Sequence, residues 1–464
     1  MTRFPRSLFA LALVGAISVA CTSVTPVVTP TGAQSTPTLA PSAAPSGTDA
    51  PPTDLPSGSP TETPGSSDAP TETPGGPSEP PASIDPALAA EIDAVLEQVP
   101  PIRQLEALED VPYEFISREQ FQQDLMEMDE EEVPAEVRAA EERLLKRLGL
   151  LPDDVSLDAL LEELYGGQVA AYYVPEEGRF YIIERDEPFG ALDKVFVSHE
   201  YTHALQDQHF DLEGNRITDL TEGDAALAQL SAIEGDATLT MQQWAVQSLS
   251  QSELLEILTA SLSGLDDDVL ADMPLVLRRQ LEFPYTEGFL FINEVWGLGG
   301  FEAVDGALQT PPASTEQILH PQKFYDQELP VDVTLEDISA TLGDGWSLVY
   351  EQTMGELLVQ VLATGGEEPP FSLPGMPVTW PHAEIAEGWG GDRLNMYENT
   401  DGDWGILWQT AWDTESDAVE FETRMVELLS SFDGFMVVEA GSGGPLHREV
   451  AIANDAAVLS QLTQ

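Results

Sequence analysis

The sequence predicts an α+β protein: a mainly helical body with a small sheet, followed by a smaller α+β module. Three observations carry this prediction. Segments 189–208 and 223–262 hold long runs at helical spacing, with further helical patterns at 286–297 and 346–363. Two short β-rich runs, 169–174 and 180–183, flank Pro175-Glu176-Glu177-Gly178 and read as a hairpin. Beyond about residue 330, strand-like runs at 394–397, 405–412, 435–438 and 448–452 surround a helical pattern at 416–429.

The N-terminus reads as an export signal over residues 1–21. Arg3 and Arg6 form a basic start, Leu8 to Val19 an apolar stretch, and Ala20 precedes Cys21. Cys21 is the only cysteine, so no disulfide forms within the chain. Its place resembles the lipid-modified cysteine of bacterial lipoproteins, although Ser18 stands where that pattern has an aliphatic residue. The expectation is a protein on the outer face of the cell membrane, anchored through Cys21, or secreted. No second apolar run is long enough to span a bilayer.

Residues 22–84 are Pro, Thr, Ser, Gly and Ala with few large apolar side chains, and Pro-Thr-Glu-Thr-Pro-Gly recurs at 60–65 and 70–75. Such a segment cannot bury a core and reads as a disordered tether. A globular body follows from 85 to 330, opening with a helical lead-in at 85–150, and the α+β module occupies 331–464. Acidic residues outnumber basic ones 82 to 18. A field of that sign repels a phosphate backbone, so nucleic acid is excluded as a partner. Lys146, Lys194 and Lys323 are the only lysines, a composition suited to high ionic strength.

The chemistry sits in Val197-Ser198-His199-Glu200-Tyr201-Thr202-His203-Ala204. Two histidines four apart on a helix differ by about 40° around its axis, so both imidazoles face one side and can share a tetrahedral zinc ion. Glu200, between them, is placed to take a proton from a metal-activated water and pass it to a leaving amine. This pattern predicts a zinc-dependent hydrolase acting on a peptide or protein substrate, with His199 and His203 as ligands and Glu200 as catalytic base.

Three residues compete for the third ligand. His209 lies six after His203, but Gln206 stands where that architecture turns the chain with glycine. Glu222 lies nineteen after His203, at an expected loop-to-helix boundary where a capping acid is the ordinary reading. Glu234 lies within Glu234-Gly235-Asp236-Ala237, whose small residues would let its helix approach the zinc helix, and is the favoured ligand.

The run His199-Glu200-Tyr201-Thr202-His203-Ala204-Leu205-Gln206-Asp207-Gln208 with Glu234-Gly235-Asp236-Ala237 resembles a largely uncharacterised group of bacterial exported gluzincin-like zinc metallopeptidases. Phe283-Pro284-Tyr285, Ser314 to Pro321, and Gly388 to Arg393 resemble later signatures of the same group. The resemblance implies a zincin-like catalytic domain and adds weight to Glu234. One departure is Thr238, which stands where the better-known pattern has a supporting aspartate. Asp207 is a candidate to orient an imidazole. An oxyanion needs a donor; His320, Tyr285 and Arg393 are carried by the resembling segments, and His320 is taken as the second catalytic candidate.

Further expectations concern substrate and alternatives. The run 180–183 would be the sheet edge that pairs with an extended peptide. Asp211, Glu213, Asn215, Asp219 and Glu222 approach a calcium-loop rhythm, but Arg216 occupies the position that needs glycine. The rival function is a non-catalytic zincin-fold envelope binding or assembly lipoprotein.

Overall fold

The computed structural model describes residues 85–464 except 166–169, 186–187, 265–272, 370–377 and 431–433. The expected export signal with Cys21, and the tether at 22–84, lie outside the described residues. Among the described residues no helix is long and apolar enough to cross a membrane.

Helix α1 (Pro86–Arg103) buries Ile92, Val95 and Val99 along one stripe. Strand β1 (Tyr113–Ile116), α2 (Arg118–Glu132), α3 (Ala135–Arg147) and α4 (Leu157–Tyr165) complete the lead-in. β1 is too short for its period to have shown in the sequence. Strands β2 (Ala171–Val174) and β3 (Arg179–Ile183) form the expected hairpin, and Gly178 takes the left-handed conformation at its turn, with φ 58°. The long helices follow: α5 (Ala191–Phe210), α6 (Gly223–Ser248), α7 (Gln251–Gly264) and α8 (Leu275–Gln309). Short helices α9 (Thr315–Leu319), α10 (Pro321–Tyr325) and α11 (Ser339–Leu342) lead to the second sheet.

Two expectations change. The segment expected as one helix at 346–363 is strand β4 (Trp346–Gln352) followed by α12 (Gly355–Thr364). Its first half carries aromatic and branched side chains that suit a pleated surface. The strand at 180–183 is not a sheet edge: the first sheet runs β1-β3-β2, with β3 central, parallel to β1 and antiparallel to β2. The edge strands are β1 and β2, and β2 is buried along its length.

The second sheet contains β4, β5 (Trp389–Asn399), β6 (Trp404–Trp412), β7 (Phe435–Ala440) and β8 (His447–Ala453) in the order β4-β5-β6-β8-β7, all antiparallel. Helix α13 (Glu415–Leu429) covers one face through Phe421 and Met425, and α14 (Ala456–Leu462) covers the other through Val458 and Leu462. The core under α13 also takes Ala140, Leu144 and Leu145 of α3 and Val276 of α8, so the lead-in and the C-terminal sheet share one apolar interior. Asp392 of β5 ties this sheet to the start of α12. Its buried carboxylate accepts from the Met354 and Gly355 backbone at 2.9 Å and from the Trp389 and Trp408 indoles at 2.9 and 3.1 Å.

Helices α6 and α8 cross where glycine meets glycine. A Cβ at Gly235 would sit 2.3 Å from the Gly288 carbonyl oxygen, and one at Gly288 would sit 2.4 Å from the Ser231 carbonyl oxygen. The small residue after Glu234 therefore serves approach to α8, not the expected approach to the helix carrying the histidines. Gly288→Ala forces backbones apart in a filled interior and costs about 1–3 kcal/mol. Chemical denaturation of the variant is expected to show that loss, and an unchanged midpoint would refute the tight crossing.

Candidate metal centre

Helix α5 presents His199, Glu200 and His203 from its buried side, and α6, interior around Glu234, faces them. His199 Nε2 lies 3.0 Å from His203 Nε2 and 3.1 Å from Glu234 Oε2, and His203 Nε2 lies 3.4 Å from the same oxygen. Donors around a tetrahedral zinc ion at about 2.1 Å are separated by roughly 3.4 Å. The triangle is close to that size. Hydrogen bonds alone fit it poorly, because three lone-pair atoms in mutual contact lack the protons for three such bonds. Glu234 Oε1 is also buried without a partner. A divalent cation satisfies this donor set, and zinc suits its two imidazoles and one carboxylate.

Electrostatics follow the burial. Desolvation alone would raise the Glu234 carboxyl, but the two imidazoles outweigh it and hold it well below the usual carboxylate range. Burial opposes a charge on His203, yet Glu234 overrides that and raises its pKa. Glu200 is pushed up to about 8, chiefly by burial, with Glu234 adding repulsion and His203 opposing.

The orienting partners differ from those expected. His203 Nδ1 donates to Gln206 Oε1 at 2.8 Å, which leaves Nε2 with its lone pair toward the cluster. The Gln206 amide nitrogen then donates to the Ile233 carbonyl at 2.9 Å and to Asp236 Oδ2 at 2.8 Å. Asp236 accepts from Arg103 Nε at 2.8 Å. Asp207, the expected orienter, instead accepts from the Tyr173 hydroxyl at 2.8 Å and the Leu212 backbone at 3.0 Å. Gln206 lay one helical turn from His203 and was legible as a neighbour; Arg103 carried no local signal.

The other sequence-derived residues divide plainly. Tyr285 joins the site: its ring lies 6.3 Å from that of His199, and its buried hydroxyl faces Glu234 and Glu200 without a well-formed hydrogen bond. Burial first and those carboxylates next raise its pKa well above the ordinary value. His320 is not brought to the cluster: it caps α9 and bonds Glu356 Oε1 at 2.8 Å. His209 donates to the Glu106 carbonyl at 2.8 Å, and Glu222 pairs with Arg393 at 2.7 Å. The calcium rhythm is likewise dispersed, with Asp211 accepting from Gly214 and Asp219 from Thr221. A second acidic trio, Glu316, Glu328 and Asp413, encloses the Lys323 ammonium at 2.7, 2.6 and 2.6 Å and needs no metal.

Strand β2 borders the cluster. Ile183 donates to the Ala170 carbonyl, whereas Phe180 and Glu184 donate toward the β1 side, to Pro112 and Ile116. Alternation then points the backbone groups of Ala171 and Tyr173 away from β3. The Tyr173 N–H is used on that side by the Glu200 carboxylate.

Over residues 347–457 the chain matches a family described only as a domain of unknown function, DUF8575. That stretch runs from β4 into α14 and contains none of His199, Glu200, His203 and Glu234. No curated protein and no solved structure matches the chain.

Two outcomes follow. Glu234→Gln is expected to weaken zinc binding more than about 100-fold, beyond the loss from an orienting partner, while Glu222→Gln and His209→Gln retain wild-type affinity; chelator competition distinguishes them. For His320, the hydrogen bond to Glu356 raises its pKa above the ordinary 6.5, with burial opposing and the charges of Glu356, Glu316 and Glu387 assisting. A raised histidine pKa stabilises the fold at low pH and loses that contribution as pH rises through the raised value. His320→Gln should therefore cost more thermal stability at pH 6 than at pH 9, and an equal cost at both would refute the charged pairing.

Proposed function

We propose that this chain is an extracytoplasmic zinc metallopeptidase, a zincin-like hydrolase of peptide bonds carried outside the cytoplasm by its N-terminal signal and held at the membrane through Cys21. The single observation that carries the reading is the convergence of His199, His203 and Glu234 with Glu200 beside them. Zinc bound by His199, His203 and Glu234 would act as a Lewis acid toward water and a carbonyl group.

The chain's own residues account for the remaining steps. Glu200 accepts a proton from the attacking water as the new C–O bond forms, and delivers it to the amine as the C–N bond breaks. Tyr285, with no well-formed hydrogen bond of its own, supplies a hydroxyl donor for the developing oxyanion. An extended substrate pairs along β2 with the outward groups of Ala171 and the Tyr173 carbonyl, the Tyr173 N–H being held by Glu200.

One observation favours a second reading. His199, Glu200, His203 and Glu234 are each no more than 2% exposed, so a peptide reaches them only after neighbouring elements part. A non-catalytic envelope lipoprotein that uses a buried metal to hold its fold would look the same. The two readings separate on Glu200→Gln, which spares the three donors. In the peptidase reading the wild type cleaves an unstructured protein substrate, and the variant keeps its zinc while losing roughly 100- to 10,000-fold in turnover. Zinc-loaded wild type that cleaves no member of a broad peptide library would favour the binding protein.

A further inference from the structure

We infer that helix α1 is part of the metal centre, with Arg103 as the positioning residue that fixes the His203 imidazole through Asp236 and Gln206. The inference rests on the metal reading given above and extends it to a segment that the sequence presents only as a lead-in. Arg103, the last residue of α1, is fully buried. Its Nε donates to Asp236 at 2.8 Å, its Nη2 donates to Asp305 at 2.7 Å, and its guanidinium lies over the Phe301 ring at 4.7 Å.

Arg103 anchors one end of this relay, and the Ile233 carbonyl helps fix the Gln206 amide at the other. A guanidinium has donors and no acceptor, so it takes the Asp236 carboxylate as its partner. Asp236, held there, receives the amide nitrogen of Gln206. With that nitrogen committed to Asp236 and to the Ile233 carbonyl, the amide oxygen must face His203. The oxygen accepts only from a protonated Nδ1, and the lone pair is left on Nε2, the atom that faces Glu234. Reversing the Gln206 amide would place a donor against Nδ1 and move the ring proton to Nε2, where a metal must bind. A removable inhibitory segment would leave the metal site intact when cut away; α1 supplies the fixed end of the chain that orients a ligand.

The test compares zinc affinity in the full-length chain by chelator competition, with thermal unfolding measured alongside. Arg103→Met is expected to weaken zinc binding about 10- to 100-fold, the usual cost of losing a partner behind a ligand. Arg103→Lys, which keeps a donor-only cation, should recover part of the loss. Arg279→Met serves as the matched control, since Arg279 is equally buried against Trp380 and Glu287 but touches none of the relay. It should lower the unfolding temperature and leave zinc affinity within twofold of wild type. If Arg103→Met does not fold, Asp305→Asn, altered at the partly exposed end of the relay, decides the matter with an expected loss of several-fold. Wild-type zinc affinity in Arg103→Met, or in Asp305→Asn where that variant decides, overturns the inference while leaving the metal site standing. A wild-type chain that binds no zinc overturns the metal reading itself, and this inference with it.

Discussion

Gln206 bonds in two directions across the contact between α5 and α6, and the cluster of His199, His203 and Glu234 depends on both. Toward its own helix it accepts from His203; toward the other it donates to Ile233 and Asp236, the residues flanking Glu234 and Gly235. A glutamine has one acceptor end and one donor end, so this pairing holds in a single register of the two helices. A slip of one residue on either helix would separate the imidazoles from Glu234 and strand buried amide groups at a cost of several kcal/mol. Close passage of α6 over α8 at Gly235 and Gly288 then fixes the other side of Glu234's helix, and places Tyr285 over the cluster.

The charge balance shows where the few cations are used. The chain has 18 basic residues against 82 acidic ones. Arg103 and Arg279 are almost fully buried, each paired with a carboxylate and laid over an aromatic ring, and Lys323 sits within three acids. Buried acids in such a protein need partners more than surface acids do, because water no longer screens them. In the Lys323 cage only Glu316 is buried, whereas in the candidate metal centre all three donor residues are. In the cage, carboxylates alone meet a side-chain ammonium. In the candidate metal centre, two imidazoles and a carboxylate meet one another, and among the described residues no lysine or arginine side chain is placed among them.

The histidine pair, Glu200 and the general α+β architecture were legible because each rests on a local period: four residues on a helix, two on a strand. Glu234 was favoured among three candidates partly for the small residues after it, although Gly235 turns out to face α8. The misreading of 346–352 as helix arose because the following α12 is strongly apolar and its pattern ran back across Met354 and Gly355. Placing β3 at the edge failed for want of β1, whose four residues pair in parallel with β3 from more than sixty residues away. Arg103 and Asp236 lie 133 residues apart, and no local pattern announces such a pair. His320 looked chemical by residue type; only its partner, Glu356 on α12, reveals that it joins α9 to the C-terminal half.

The division between chemistry and framework follows from this geometry. Residues of α1, α5, α6 and α8 converge on one buried point, and each contributes something the others lack: an anchoring cation, two imidazoles with a carboxylate between them, a third donor, and a phenol. The C-terminal sheet contributes none of these. Its links to the remainder run through packing under α3, the Asp392 bonds to the start of α12, and the contact of Gly355 with Asp224 at the start of α6. The family match at 347–457 covers this sheet and none of the side chains that converge on the cluster, so those side chains and the matched domain are joined through these packing and hydrogen-bond links.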